Sequence, residues 1–407
     1  MGFLWVLRFP PTAKDPTPKR IIEIKLNQML VPKLPSLCRV GRRNFVHYLL
    51  ENDLVSKVRV VDKVPPQMAW LNTEHKESFT SSALEFKHAN LINPASTEEA
   101  FADDGNSFDY VVNLAAETKY GQSDPVYKEG IVKLSQMCIQ IAAKHKVKMY
   151  IEFSTGQMHS TDKKPVTEET KCEPWTHLAK HKLEVEKEFE KYPELNHIII
   201  RPAIIYGIGD RQSLTPRLMI GAIYKYTKEK MKMLWTKDLK MNTVHVIDVC
   251  KAIWFLFTHG KSGEIYNLCD KGDTDQGKIS ELVSEIFSIN FDFVGSIMSN
   301  MAKINMSGMV EDINDEHLAP WADACQRDDI SNTPLNPCID QELLYNKHLY
   351  LDGSKIENIG FTYQYPELKI EYLKEVLQDY LDLGLFPRSL MSGETFFLRP
   401  NNEEDES

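Results

Sequence analysis

Long apolar runs are scarce in this chain of 407 residues. The longest, such as "AIWFLF", fall far short of the ~20 residues that a membrane-spanning helix needs. The opening "MGFLWVLRFPP" is cut by Arg8 and two prolines and is not expected to act as a secretory signal. Its Met-Gly start has Val6 where a myristoylation signal needs Ser or Thr. Paired cysteines are missing as well. Seven cysteines (38, 138, 172, 250, 269, 325, 338), odd in number and without a CxxC pair, support neither a disulfide framework nor a metal site and suit a reducing compartment. Basic charge is also in deficit: a net charge of -10 argues against a nucleic-acid partner, which would need a basic face. The expectation is a cytoplasmic protein with no nucleic-acid or membrane partner and no metal. Asn305-Met306-Ser307 fits a glycosylation triplet, which carries no weight without a secretory signal.

What is present is ordinary globular composition, 42% apolar and 26% charged. From about residue 44 short apolar runs alternate with helical spacing. "KVRVVDK" (57–63), "LEFKHANL" (84–91), "FDYVVNLAA" (108–116), "KMYIEFST" (148–155) and "NHIIIRPAIIYG" (196–207) read as strands. "NFVHYLLEN" (44–52), residues 126–146 and residues 176–192 read as helices. Such alternation implies a parallel sheet covered by helices on both faces. After residue 207 the pattern loosens, and "GEIYNLCD", "GKISELVSEIFSI" and "PELKIEYLKEVLQDYLDLG" suggest a smaller C-terminal lobe. The acidic end, "NNEEDES", reads as disordered.

Eight stretches in order, "VRVVDK", "DYVVNLAAET", "EFSTGQMHS", "LAKHKLEVE", "IIIRPAIIYGIGD", "NTVHVIDVCKAI", "GEIYNL" and "DGSKIENIGF", resemble the extended short-chain dehydrogenase/reductase superfamily, and within it the NAD-dependent epimerase/dehydratase group. The resemblance covers roughly residues 44–386. It implies an α/β fold: a Rossmann-type doubly wound parallel sheet with a smaller C-terminal α/β substrate lobe. The expected units are an atypical N-terminal segment (1–43), a Rossmann-like NAD(P)-binding domain (44–207), a substrate lobe interleaved with the main sheet (208–386) and a tail (387–407).

The resemblance also implies roles. Asp62, at a strand end, would accept hydrogen bonds from the adenosine ribose and repel a 2′-phosphate, favouring NAD over NADP. Asn90 and Leu91 would meet the adenine. Ala115 and Ala116 would let the backbone approach the cofactor. Thr155 would bind the substrate's reacting oxygen, Lys182 the nicotinamide ribose, and Pro202 and Ile205 one nicotinamide face. Arg201 would anchor structure. Helices 126–146 and 176–192 are the segments through which such relatives would form a homodimer.

Two departures matter. The phosphate-binding turn should be glycine-rich, because a Cβ blocks close approach and disfavours positive φ. Here only Gly41 remains, with Arg42 where the last glycine is expected and "RIIEIKL" (20–26) the nearest strand candidate. Arg42 or Arg43 would then pair with phosphate in place of the lost amides. The second departure is Leu178, which stands four residues before Lys182, where the family has a tyrosine. Residues i and i+4 share a helix face, so that tyrosine and the lysine would address one ligand. Losing a positioned proton donor costs ~10²–10⁴ in rate. His177 and His181 lie about 100° away around the helix, and Tyr224-x-x-x-Lys228 and Tyr226-x-x-x-Lys230 fall on the wrong element. Two functions follow as expectations: an NAD-dependent oxidoreductase acting on a hydroxyl or keto group of a nucleotide sugar or related alcohol through an altered acid/base site, or a non-catalytic dinucleotide- or sugar-nucleotide-binding regulator.

Overall fold

The computed structural model describes residues 3–8, 39–102 and 109–391. The expected strand at 20–26, the tail beyond residue 391 and Cys38 lie outside the described residues.

The strands are β1 (Phe3–Arg8), β2 (Lys57–Asp62), β3 (Leu84–His88), β4 (Tyr110–Leu114), β5 (Met149–Phe153), β6 (His197–Pro202), β7 (Ile204–Tyr206), β8 (Met231–Met233), β9 (Thr243–His245), β10 (Ile265–Leu268) and β11 (Phe291–Phe293). Seven form the main sheet in the order β10-β6-β5-β4-β1-β2-β3. Their apolar residues run without alternation: Val58, Val60, Val61, Val111, Val112, Ile151, Ile198 and Ile200 are fully buried. Helices on both faces account for that, since a half-exposed sheet would alternate. The reversal of strand order around β1 and β4 puts a crevice at the carboxyl ends of the strands, where such sheets bind ligands.

The sheet is parallel, as the sequence led one to expect, with one exception. β1 sits between β2 and β4 and runs antiparallel to both, with Leu4 opposite Val61 and Val6 opposite Val111. All other pairs in the sheet are parallel. The first helix, Arg39–Glu51, begins before the boundary expected at residue 44.

Helix starts follow local chemistry. Asn72 accepts from His75 N at 3.0 Å, Thr176 from Ala179 N at 3.1 Å and Asp275 from Lys278 N at 2.9 Å, each satisfying an amide that the helix leaves open. The long helix after β4 runs from Asp124 to Lys144 and contains a π-helical turn, Lys128–Lys133. The Gly130 carbonyl in that turn accepts from Glu117 N at 2.9 Å.

The C-terminal lobe has its own core, including Leu218, Met219, Phe287, Trp321, Leu377 and Tyr380. It is interleaved with the main sheet through β10, which pairs with β6. The helix Met306–Arg327, with Pro320 inside it, was not expected from the sequence. Among the described residues no helix is long and apolar enough to cross a membrane.

Candidate active site

A cavity of about 1610 Å³ opens between the carboxyl end of the sheet and the lobe. That exceeds the ~300–1,000 Å³ of a typical single-ligand pocket. Thr155, after β5, and Leu178 and Lys182, on the helix His177–Glu188, line it together. So do Gly41, Pro202 and Ile205. Among the described residues, a Cβ on Gly41 would meet nothing nearer than Leu114 Cδ1 at 3.9 Å.

Lys182 is buried and its ammonium is largely committed. It donates to Glu152 Oε1 at 3.2 Å and to the Phe153 carbonyl at 2.5 Å, leaving one N–H for the cavity. Glu152 is fully buried and also accepts from Asn113 Nδ2 at 2.7 Å and Tyr150 Oη at 3.1 Å. Burial pushes the Glu152 carboxyl upward, and the lysine beside it pulls back down. Thr155 Oγ1 accepts from Gln157 N at 3.2 Å, a local turn that leaves the hydroxyl proton unspent. Leu178 presents only hydrocarbon.

The remaining expected residues do not line the cavity. Asp62 is buried, and its Oδ1 accepts from Val64 N at 2.9 Å. Leu91, Ala115 and Ala116 are fully buried at strand ends. Asn90 offers an oxygen, Oδ1, that is buried with no hydrogen-bond partner among the described residues. Arg201 is bound by Glu186 at 3.0 and 2.6 Å, an anchoring role. Arg43 does not face a phosphate site as expected: it donates to Trp70 O at 2.6 Å and Gly209 O at 3.1 Å, tying the first helix to the loop that enters the lobe. His181 Nδ1 donates to the His177 carbonyl, 2.7 Å away, and His177 Nδ1 sits 3.2 Å from Asp124, so both are engaged in structure.

Three cavity residues had no signal in the sequence. Tyr120 lies in the loop after β4, Gln157 two residues beyond Thr155, and Arg217 on the lobe helix Thr215–Thr227. Arg217 contacts Met241 Sδ at 3.5 Å. Burial brings its pKa down to about 10 with no carboxylate opposing the shift. Among the described residues, seven Lys and Arg side chains line the cavity against a single carboxylate, Asp340. In a chain of net charge -10 this is a local reversal of sign, suited to anionic ligands.

The model of the family described as NAD dependent epimerase/dehydratase matches residues 40–269, more than half of the chain. The chain belongs to the NAD-dependent epimerase/dehydratase family. Solved structures in this group share its fold. A dTDP-glucose 4,6-dehydratase from Streptomyces venezuelae, solved with NAD, superposes at TM-score 0.60 with 17% identity, covering 84% of this chain and 94% of that one. A UDP-N-acetylglucosamine 4-epimerase from Methanobrevibacter ruminantium gives 0.58 at 16% identity, covering 84% and 95%. The UDP-glucose 4-epimerase of Thermus thermophilus, in complex with NAD, gives 0.55 at 14% identity, covering 87% and 96%. No curated protein matches the chain by sequence.

Proposed function

We propose that this family member is an NAD-dependent oxidoreductase of the epimerase/dehydratase type, acting on a hydroxyl or keto group of a nucleotide sugar or related alcohol through an altered acid/base site. The observation that carries this reading is the cation-lined cavity that Thr155, Leu178 and Lys182 line together. Its volume of about 1610 Å³ suits two ligands, and its charge suits two diphosphates.

The residues fit NAD. Gly41 offers unobstructed backbone, Ala115 and Ala116 present only a Cβ, and the orphaned Asn90 oxygen is the acceptor that an adenine amino group would satisfy. Asp62 at the end of β2 would select NAD over NADP. Pro202 and Ile205 would pack the nicotinamide, and the free N–H of Lys182 would meet its ribose. When bound, NAD supplies a place for hydride to go to or come from. Thr155 would hold the substrate oxygen by its unspent proton, and Arg217 would pair with a substrate phosphate. Leu178 contributes shape and exclusion of water but no proton.

A second reading, a non-catalytic dinucleotide- or sugar-nucleotide-binding regulator, is favoured by the hold that Glu152 and Phe153 exert on Lys182. Titration with NAD by calorimetry, followed by Leu178→Tyr with dTDP-glucose or UDP-glucose, separates the two. The oxidoreductase reading expects NAD uptake and a rise in turnover of ~10²-fold or more on restoring the phenol. NAD uptake with no turnover in either form favours the regulator; no dinucleotide uptake at all sinks the oxidoreductase reading and leaves the regulator only as a sugar-nucleotide binder.

A further inference from the structure

A chain of three hydrogen bonds ends at the cavity, and its direction is fixed by chemistry. The amide of Ala179 can only donate, and it donates to Thr176 Oγ1 at 3.1 Å. Thr176 is fully buried and has one proton to place. Gln157 Oε1, 2.8 Å away, receives it. The opposite amide orientation would put an NH₂ against a hydroxyl whose own proton then had no acceptor, a cost of roughly 1–3 kcal/mol. With the Gln157 oxygen so placed, its Nε2 faces Tyr120 Oη at 2.9 Å and donates to it. The Tyr120 proton is left with no acceptor among the described residues, and Tyr120 lines the same cavity as Leu178 and Lys182. Gln157 does the same for Thr155 through its main-chain N–H, at 3.2 Å. One residue therefore occupies the acceptor side of two hydroxyls and leaves both protons unspent.

We propose that Tyr120 supplies the hydrogen bond that Leu178 cannot: Thr176 and Gln157 turn its phenolic O–H, together with that of Thr155, toward the reacting oxygen of the substrate. This rests on the oxidoreductase reading above. Burial, with the carboxylates of Glu342 and Asp340 nearby, pushes the Tyr120 phenol well above its ordinary value, so it keeps its proton. Its part is to stabilise negative charge on the oxygen by donating, while it keeps its own proton: as hydride leaves the substrate carbon for the nicotinamide, the hydroxyl proton passes to solvent water entering the open cavity, and it returns from water in the reverse direction. Tyr120 would be a catalytic residue; Gln157 and Thr176 are positioning residues.

The experiment has two arms. In the first, NAD-loaded protein is mixed with dTDP-glucose or UDP-glucose and the absorbance of reduced nicotinamide is followed. Tyr120→Phe and Gln157→Leu should each slow reduction by ~10²-fold, the value of one such donor, with NAD affinity unchanged and the double variant no slower than either single one. Reduction at the wild-type rate in Tyr120→Phe overturns the proposal. The second arm needs no turnover. Tyrosine labelled with ¹³C at the hydroxyl-bearing carbon is observed by NMR in the NAD-free protein, with Tyr120 identified by its loss in Tyr120→Phe. That resonance should move in Gln157→Leu and Thr176→Val and return in Thr176→Ser. A resonance indifferent to the first two substitutions overturns the relay even where NAD binds. Failure to bind NAD removes the reading beneath it and leaves the resonance to judge the relay alone; if NAD binds but neither sugar reduces it, the resonance likewise decides.

Discussion

Replacing Lys182 by methionine should destabilise the fold by about 3 kcal/mol at pH 7, chiefly through Glu152. Methionine keeps the unbranched stem but removes the ammonium 3.2 Å from Glu152 Oε1. The carboxylate, fully buried, retains only the neutral donors Asn113, Tyr150 and Ser135. Breaking one side of a buried ion pair typically costs ~3–5 kcal/mol. Protonation sets a ceiling: carrying an ordinary carboxyl from ~4.3 up to pH 7 at about 1.4 kcal/mol per unit comes to roughly 3.7 kcal/mol. The sign of the pH dependence follows. Burial raises the Glu152 pKa and Lys182 is the first influence opposing it. Without the lysine the folded state takes up a proton, so the variant's deficit is full at neutral pH and shrinks by up to about 1.4 kcal/mol per unit as the medium is acidified toward pH 5. Urea denaturation followed by far-UV circular dichroism at pH 7 and pH 5 measures both quantities, and adding Glu152→Gln should recover most of the loss. A deficit under about 1 kcal/mol at pH 7, or one that widens in acid, would refute this account of the pair.

Gly209 has φ +88°, and an added Cβ would lie 2.4 Å from Arg43 Nε, so Gly209→Ala should cost ~2 kcal/mol or more, seen as a lower thermal midpoint. Arg217→Met should weaken UDP or dTDP binding by ~10-fold or more, as expected for a charge-assisted bond, while leaving NAD affinity alone; calorimetry reads both. Asp270 is held up at about 7 by burial, against hydrogen bonds from Thr243 and Gly272. A carboxyl whose folded pKa lies above its unfolded one disfavours the fold increasingly as pH climbs from ~4 to 7. Wild-type stability should therefore fall between pH 5 and pH 7, a slope that Asp270→Asn should flatten in the same urea assay.

The parallel strands of the sheet were legible because β2, β4 and β6 are short continuous apolar runs, as expected of strands covered on both faces. β1 was not, because a pairing direction is set by partners far along the chain and leaves no local trace. The helix Met306–Arg327 was hidden by Pro320 and by a polar, weakly periodic composition. Thr155, Leu178 and Lys182 were found together because the family resemblance assigns all three to one site, and the helical spacing of Leu178 and Lys182 agrees with it. Tyr120, Gln157 and Arg217 were missed since they reach the cavity from loops and from the lobe, where no periodicity announces a direction. The tie between Lys182 and Glu152 was equally invisible: it depends on two strands and a helix meeting, and Glu152 reads locally as one residue of "MYIEF".

The π-helical turn at Lys128–Lys133 amounts to one surplus residue wound into an otherwise regular rod. That surplus frees the Gly130 carbonyl to clasp the peptide of Glu117, three positions ahead of Tyr120, and leaves so little clearance that a methyl on Gly130 would press to 2.8 Å from Glu117 Cβ. Deleting a single amino acid there would make the rod more ideal and, by closing the clasp's open hand, unmoor the cavity wall on which the phenol stands.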